Sequence, residues 1–364
     1  MPSGPDEIRV ALGILEELAV EGPLFDIHVH PFNIADPVPL YTESTPSQKG
    51  VFGQGAGDYV APEWEPEKMA DDPENGNEIK NRDLVKKFNL LKSRSLYKFT
   101  GPGVFRDHMT PACISHVLLL PVALPRENGD SQITEMARIF GGQEGFSLGY
   151  SVPNDCQASD IVGRVGEVKE RFKISALKIQ TAITGIDPGS PNGLERLHLI
   201  LEASREHSLP VIIHGGYTRE FVPARSEEFG CLDRLQRVEW NATDQPVVIA
   251  HAGFFGCGRE EVENSSLSRI STLLAKYDHL LVDVAGLKPW ALEIVMERMD
   301  GERILFGSDA LYNSIGNMVL RSLKTMMKTG RDARKMFRQI ACINPGRHFF
   351  PDIPTGKCIS GEPE

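Results

Sequence analysis

Apolar residues gather along the chain in eight short runs, each bounded by Gly, Pro, Asn or Asp. The runs are LFDIHV (24–29), SHVLLLPV (115–122), FSLGYSV (146–152), ISALKIQ (174–180), PVIIHG (210–215), PVVIAHAG (246–253), LLVDVAG (280–286) and RILFGSD (303–309). Between them, segments 158–171, 193–207, 262–277 and 289–299 repeat apolar positions at i, i+3 and i+4, the period of a helix with one covered face. Continuous apolar strands alternating with helices predict an α/β fold with a parallel sheet covered on both faces. Eight units in one chain predict a closed (β/α)8 TIM barrel. An open doubly wound sheet would want a glycine-rich phosphate turn after the first strand, where this chain has HPFNIADP. We read 1–364 as a single barrel domain.

Two segments fall outside the repeat. DEIRVALGILEELAV near the start has Ile8, Ala11, Leu12, Leu15 and Leu18 at helical spacing with Asp6, Glu7, Glu16 and Glu17 among them, so it reads as an amphipathic helix and not a signal peptide. Residues 33–110 form a large insertion after the first strand. In a barrel such insertions grow from the loops at the strands' C-terminal ends, which makes this one a lid over the site. A solvated decoration or an oligomer contact is the competing reading.

Composition narrows the partners. Lys+Arg 39 against Asp+Glu 50 leaves a net charge of −11 with no basic run, which argues against nucleic acid and anionic membrane surfaces. No stretch approaches the roughly 20 apolar residues of a membrane span. The six cysteines include no C-x-x-C pair, in keeping with reduced thiols in a cytoplasmic protein. A small-molecule substrate is the expected partner, and homo-oligomerisation is left open.

FDIHVHPF (25–32) sets Asp26, His28 and His30 at alternate positions, which on a regular strand share one face. Polar residues recur at the ends of later strands: Lys178 in the fourth, His214 in the fifth, His251 in the sixth and Asp309 in the eighth. A closed parallel barrel gathers those ends around one mouth. Imidazoles with a carboxylate are borderline N/O ligands suited to zinc, or to manganese, iron or cobalt.

FDIHVH, PVIIHGG, VVIAHAG and ILFGSDA, in that order, resemble the amidohydrolase superfamily. They are most similar to its amidohydrolase-related branch, which includes aminocarboxymuconate-semialdehyde decarboxylase and several lactone and amide hydrolases. INPGRHFF (343–350) is similar to that branch's closing segment. The resemblance implies His28, His30, His214 and Asp309 as ligands of a divalent metal. It further implies Asp309 as the proton-transferring carboxylate and His251 as the histidine that polarises or orients. Asp26 is then a partner holding an imidazole, with a simple buried hydrogen-bond acceptor as the competing reading. Lys178 is the third catalytic candidate: a carbamylated bridge between two metals, a cationic contact to an anionic substrate, or a structural ion pair. One ion is favoured over two.

The leading expectation is hydrolysis of an amide or lactone by metal-activated water. The alternative is non-oxidative decarboxylation of an aromatic or unsaturated carboxylic acid, against which Asp26, where some decarboxylases carry Glu, is a slight tilt. A metal-binding barrel that has lost catalysis is a third reading, opposed by a competent residue at every chemical position. Tyr217 and Arg219 in HGGYTREF, Arg106 and His108 in GPGVFRDHM, and Trp290 after GLKP are candidate substrate contacts. Arginine suits a carboxylate, while a solvated surface position is the competing reading for each.

Overall fold

The computed structural model describes residues 4–31, 101–123, 129–218, 226–310 and 313–355. All eight predicted strands form: β1 Leu24–Val29, β2 Ile114–Leu119, β3 Phe146–Tyr150, β4 Ala176–Ile179, β5 Val211–Ile213, β6 Val247–Ile249, β7 Leu280–Asp283 and β8 Ile304–Leu305. They pair in parallel, each with the next in sequence. The ring closes where the chain after β8 returns to β1. Ile27 donates to the carbonyl of Phe306 (3.2 Å), Asp309 to that of His28 (2.9 Å), and Val29 bridges Ala310.

Helices cover the outside: α1 Gly4–Glu21, α2 Pro102–Met109, α3 Ser131–Phe140, α4 Ile161–Phe172, α5 Pro191–Glu206, α6 Leu267–Lys276, α7 Pro289–Arg298, α8 Ile315–Lys328 and α9 Ala333–Arg338. Their ends follow local chemistry. The Ser190 side chain accepts from the amide of Gly193 with Pro191 opening α5, and Ser314 does the same for Asn317 in α8. The predicted 262–277 helix is less regular than expected. A π-helical turn over Val262–Ser266 precedes α6. The amphipathic α1 buries Ile8, Ala11, Leu15 and Leu18 and packs on α8 and α9, where Glu21 pairs with Arg334 and Arg338. Among the described residues no helix is long and apolar enough to cross a membrane, and the five cysteines form no disulfide.

Two apolar layers result. Val211, Ile213, Val247, Ile249, Leu280 and Val282 face the helices, while Ile212, Val248, Leu281 and Leu305 fill the barrel with Phe25, Ile27, Phe349 and Phe350. Strict alternation carries this division along the short strands. It fails in β1, whose register shifts between Leu24 and Phe25 and again between Asp26 and Val29. The parity reading holds for His28 and His30, which meet on one side with Val29 turned to the helices, but Asp26 does not join them.

The predicted insertion 33–110 lies mostly outside the described residues. Its last part, α2, is a regular outer-layer helix that buries Phe105 and Met109, so that stretch belongs to the barrel wall and not to a lid.

The end of the barrel opposite the strand C-termini is sealed by the INPGRHFF segment. Phe350 stacks on Phe25 at 4.6 Å and 11°. Asn344, fully buried, donates to the carbonyls of Gly301 (2.8 Å) and Ile304 (2.6 Å) and accepts from Gln339 Nε2 (2.6 Å). Those carbonyls flank the start of β8. Asn344→Ala is therefore expected to lower unfolding stability by about 2–4 kcal/mol, because two enclosed carbonyls lose their donor. Chemical denaturation would check this, and an unchanged midpoint would contradict it.

Candidate metal centre

At the mouth of the barrel, three side chains from the two joined ends of the ring converge. Ligand atoms of His28, His30 and Asp309 all lie within 4.8 Å of one another, and all three residues are buried. His30 Nε2 is 3.3 Å and His28 Nε2 3.9 Å from Asp309 Oδ1. Gly307 makes the approach possible. A Cβ there would stand 2.7 Å from His28 Cβ, closer than side chains pack.

Hydrogen bonds on the far side of each ring decide which nitrogen faces the mouth. His30 Nδ1 meets the carbonyl of Leu120 (2.9 Å), and His251 Nδ1 meets the carbonyl of Ala285 (2.7 Å). A carbonyl only accepts, so both rings carry a proton on Nδ1. His28 Nδ1 meets Asp283 Oδ2 at 2.8 Å, with the same outcome where Asp283 is ionised. Each neutral ring then offers an Nε2 lone pair. In the neutral state His30 Nε2 and Asp309 Oδ1 are two acceptors side by side, an arrangement that a proton or a divalent cation relieves. The donor set fits a metal ion.

Electrostatics agree. Burial pushes His28 well below the ordinary histidine range, reinforced by Lys178 and the neighbouring imidazoles, so it stays neutral. Burial raises the Asp309 carboxyl, while an Nε2–H donated by a protonated His30 and the charge of the neighbouring histidines lower it below the usual carboxylate range. Lys178 Nζ lies 3.0 Å from His28 Nε2, and burial brings its pKa down to about 8 against the pull of Asp283 and Asp309.

The backbone here is unusual. His251, Ala252 and Asp309 have φ of 56°, 51° and 62°, a left-handed conformation that non-glycine residues avoid. Three such residues at one mouth are the strain that functional sites hold in place.

His214 joins the ring of imidazoles without joining the three-ligand cluster. Its ring centroid is 5.0 Å from that of His251, which is 5.0 Å from that of His28. Its Nε2 is engaged by Thr218 Oγ1 at 2.8 Å, and Gln180 Nε2 reaches the same oxygen at 3.4 Å. Asp26 does not hold an imidazole as expected. Its Oδ1 accepts from the backbone amides of His28 (3.1 Å) and Ser308 (3.0 Å), stapling β1 to the chain after β8.

The substrate-contact candidates scatter. Arg106 is corrected: its guanidinium donates to Gln143 Oε1 (3.2 Å) and the carbonyl of Glu144 (3.4 Å), in the turn that leads into β3. That is the end of the strands opposite the mouth, and His108 shares the same helix. Tyr217 lies on the mouth side, but its hydroxyl donates to Glu261 Oε1 at 2.9 Å. Trp290, in the first turn of α7, packs against the outer core. Arg219 lies outside the described residues.

Asp283 is the residue that sequence reading missed. It ends β7 in LLVDVAG, is fully buried, and contacts His28 directly. A carboxylate closing an otherwise apolar strand was the available signal.

No known family model matches the sequence, and no curated protein does. Solved structures match in fold, among them amidohydrolase-related decarboxylases and amidohydrolases. The 5-carboxyvanillate decarboxylase of Sphingomonas paucimobilis is 12% identical with a TM-score of 0.54, covering 91% of this chain and 99% of its own. The 2,6-dihydroxybenzoate decarboxylase of Rhizobium is 12% identical with a TM-score of 0.53, covering 91% and 99%. An amidohydrolase of Burkholderia multivorans with bound zinc is 12% identical with a TM-score of 0.50, covering 72% and 92%. At these identities the likeness is one of fold.

Asp26 generates a pH prediction. Burial pushes its pKa from 3.8 to about 7, hydrogen bonds from Ser308 and His28 offsetting only part of the effect, and Oδ2 has no partner among the described residues. A folded-state pKa above the unfolded one means that stability falls as pH rises across that window. Asp26→Asn keeps the accepting oxygen and removes the titration. With metal chelated, the variant should match wild type near pH 4 and gain on it up to pH 7, by at most about 4 kcal/mol. Parallel stability curves across that range would refute the assignment.

Proposed function

We propose that the chain is a metal-dependent enzyme of the amidohydrolase superfamily that decarboxylates a small aromatic or unsaturated carboxylic acid. The observation that carries this reading is the buried Lys178 ammonium 3.0 Å from His28 Nε2, beside the lone pairs of His30 and Asp309. A carboxylate entering such a mouth meets a cation and candidate metal ligands together. Two of the fold neighbours are the 5-carboxyvanillate and 2,6-dihydroxybenzoate decarboxylases, which supports decarboxylation over the hydrolysis expected from sequence.

In this reading His28, His30 and Asp309 would hold one ion, with His214, whose Nε2 is engaged by Thr218, as the further ligand the resemblance implies. Zinc suits the donors first, with manganese, iron or cobalt as alternatives. A divalent ion there would supply Lewis-acid polarisation of a substrate oxygen. Lys178 orients the departing carboxylate. Loss of carbon dioxide leaves an electron pair on carbon, and a proton must replace it. Asp309, ionised at rest, would take that proton from solvent water and pass it to the carbon. His251 presents Nε2 as an acceptor on the same side.

A second reading, hydrolysis of an amide or lactone, draws on the same ionised Asp309, which is equally fit to take a proton from water. The Burkholderia amidohydrolase is a fold neighbour consistent with it. Isotopes separate the two. Decarboxylation should release carbon dioxide, place solvent deuterium on the vacated carbon and incorporate no labelled water oxygen. Labelled oxygen in the product without carbon dioxide would establish hydrolysis instead.

The residues make their own forecasts. His28→Ala should abolish turnover and lower zinc content. Lys178→Met should raise KM for the acid roughly tenfold or more, the loss of one charge-assisted contact of about 1.5–3 kcal/mol. Steady-state kinetics and metal analysis check both, and wild-type zinc occupancy in His28→Ala would remove the metal assignment.

A further inference from the structure

We propose that Asp283 is the positioning residue of the metal centre: one buried carboxylate sets the tautomer of His28 and holds the backbone that presents His251. The inference rests on the metal-centre reading above and goes one residue beyond it.

Asp283 uses both oxygens. Oδ2 lies 2.8 Å from His28 Nδ1, while Oδ1 accepts from the amides of His251 (2.6 Å) and Ala285 (3.1 Å). The carbonyl of Ala285 in turn accepts from His251 Nδ1 at 2.7 Å. One imidazole is thus oriented by the carboxylate itself, and the other by a backbone turn that the same carboxylate secures. The left-handed backbone of His251 is held at its own amide by Oδ1.

The chemistry follows from what each group can do. With Oδ1 taken up by two backbone amides, an ionised Asp283 presents Oδ2 to His28 as an acceptor only, which places the His28 proton on Nδ1. Nε2 is then a lone pair facing Asp309 Oδ1 at 3.9 Å and Lys178 Nζ at 3.0 Å. A carboxylate behind a ligating histidine fixes its ring and raises its basicity. The link also joins β7 to β1 and to the turn that follows β6.

Asp283→Asn separates positioning from mere stapling. An amide has one accepting oxygen and one donating nitrogen. The His251 amide cannot change its role, so the oxygen stays with it and the amide nitrogen turns to His28. His28 can meet that donor only by moving its proton to Nε2, where the metal-facing lone pair had been.

The test uses the full chain. Zinc affinity is measured by chelator competition, and the His28 tautomer by ¹⁵N NMR of histidine-labelled protein without metal. Wild type should show His28 protonated on Nδ1. Asp283→Asn should show it protonated on Nε2 and bind zinc roughly 10–100-fold more weakly, with its circular-dichroism spectrum retained. Unchanged zinc affinity in the folded variant would overturn the proposal, as would a wild-type His28 protonated on Nε2. If the variant does not fold, the wild-type tautomer decides alone. A wild-type chain that takes up no zinc would sink the metal-centre reading, while the tautomer still judges Asp283.

Discussion

Ionisable groups cannot be taken out of water singly, and at the mouth of this barrel that constraint governs the arrangement. Asp26, His28, Lys178, Asp283 and Asp309 are all buried, each with at most 6% of its surface exposed. A lone buried charge would neutralise itself or unfold its surroundings. Here each has a partner from elsewhere on the ring: Asp26 the amide of Ser308, His28 and Asp283 each other, Lys178 the ring of His28, and Asp309 the ring of His30. The closed ring is what supplies partners from so many strands. Closure and polarity support each other, since the seam between β8 and β1 carries two of the candidate ligands, His28 and Asp309, hydrogen-bonded through their own backbones.

Much of the fold was legible because the short strands are uniform. An apolar run such as VVI or LLVD between turn residues has few other uses, and eight of them with helices between admit few architectures. The first strand was harder. FDIHVH alternates in the letters, but the register shifts that tuck Phe25 and Ile27 into the interior depend on the partner strand and leave no mark in the sequence. The broken helix before Leu267 is similar, its π turn being a packing outcome.

The site divides the same way. His28, His30 and Asp309 could be found because strand ends in a parallel barrel share one rim. Asp283 occupied an equally telling place, yet a carboxylate that acts through another residue has no spacing of its own to recognise. Arg106 shows a different gap. A helix that leads into a strand delivers its last turn to that strand's beginning, so Arg106 and the mouth lie at opposite ends. Nearness in sequence to β2 carried no information about which end, and chain direction did. Asp26 was placed beside the right strand but assigned the wrong partner, because backbone amides compete with imidazoles for a carboxylate and only the folded geometry decides.

The stacking of Phe25 on Phe350 has a consequence for how the chain is made. A ribosome releases β1 early, but the seam beside Asp309 and the aromatic plug beneath it come last. Until they emerge, the first strand has an open edge and Phe25 lacks its cover. Contacts so distant along the chain form slowly and leave adhesive surface in the interim. The nascent protein therefore stands to gain from a chaperone that holds its opening segment until synthesis has passed the final phenylalanine of the plug.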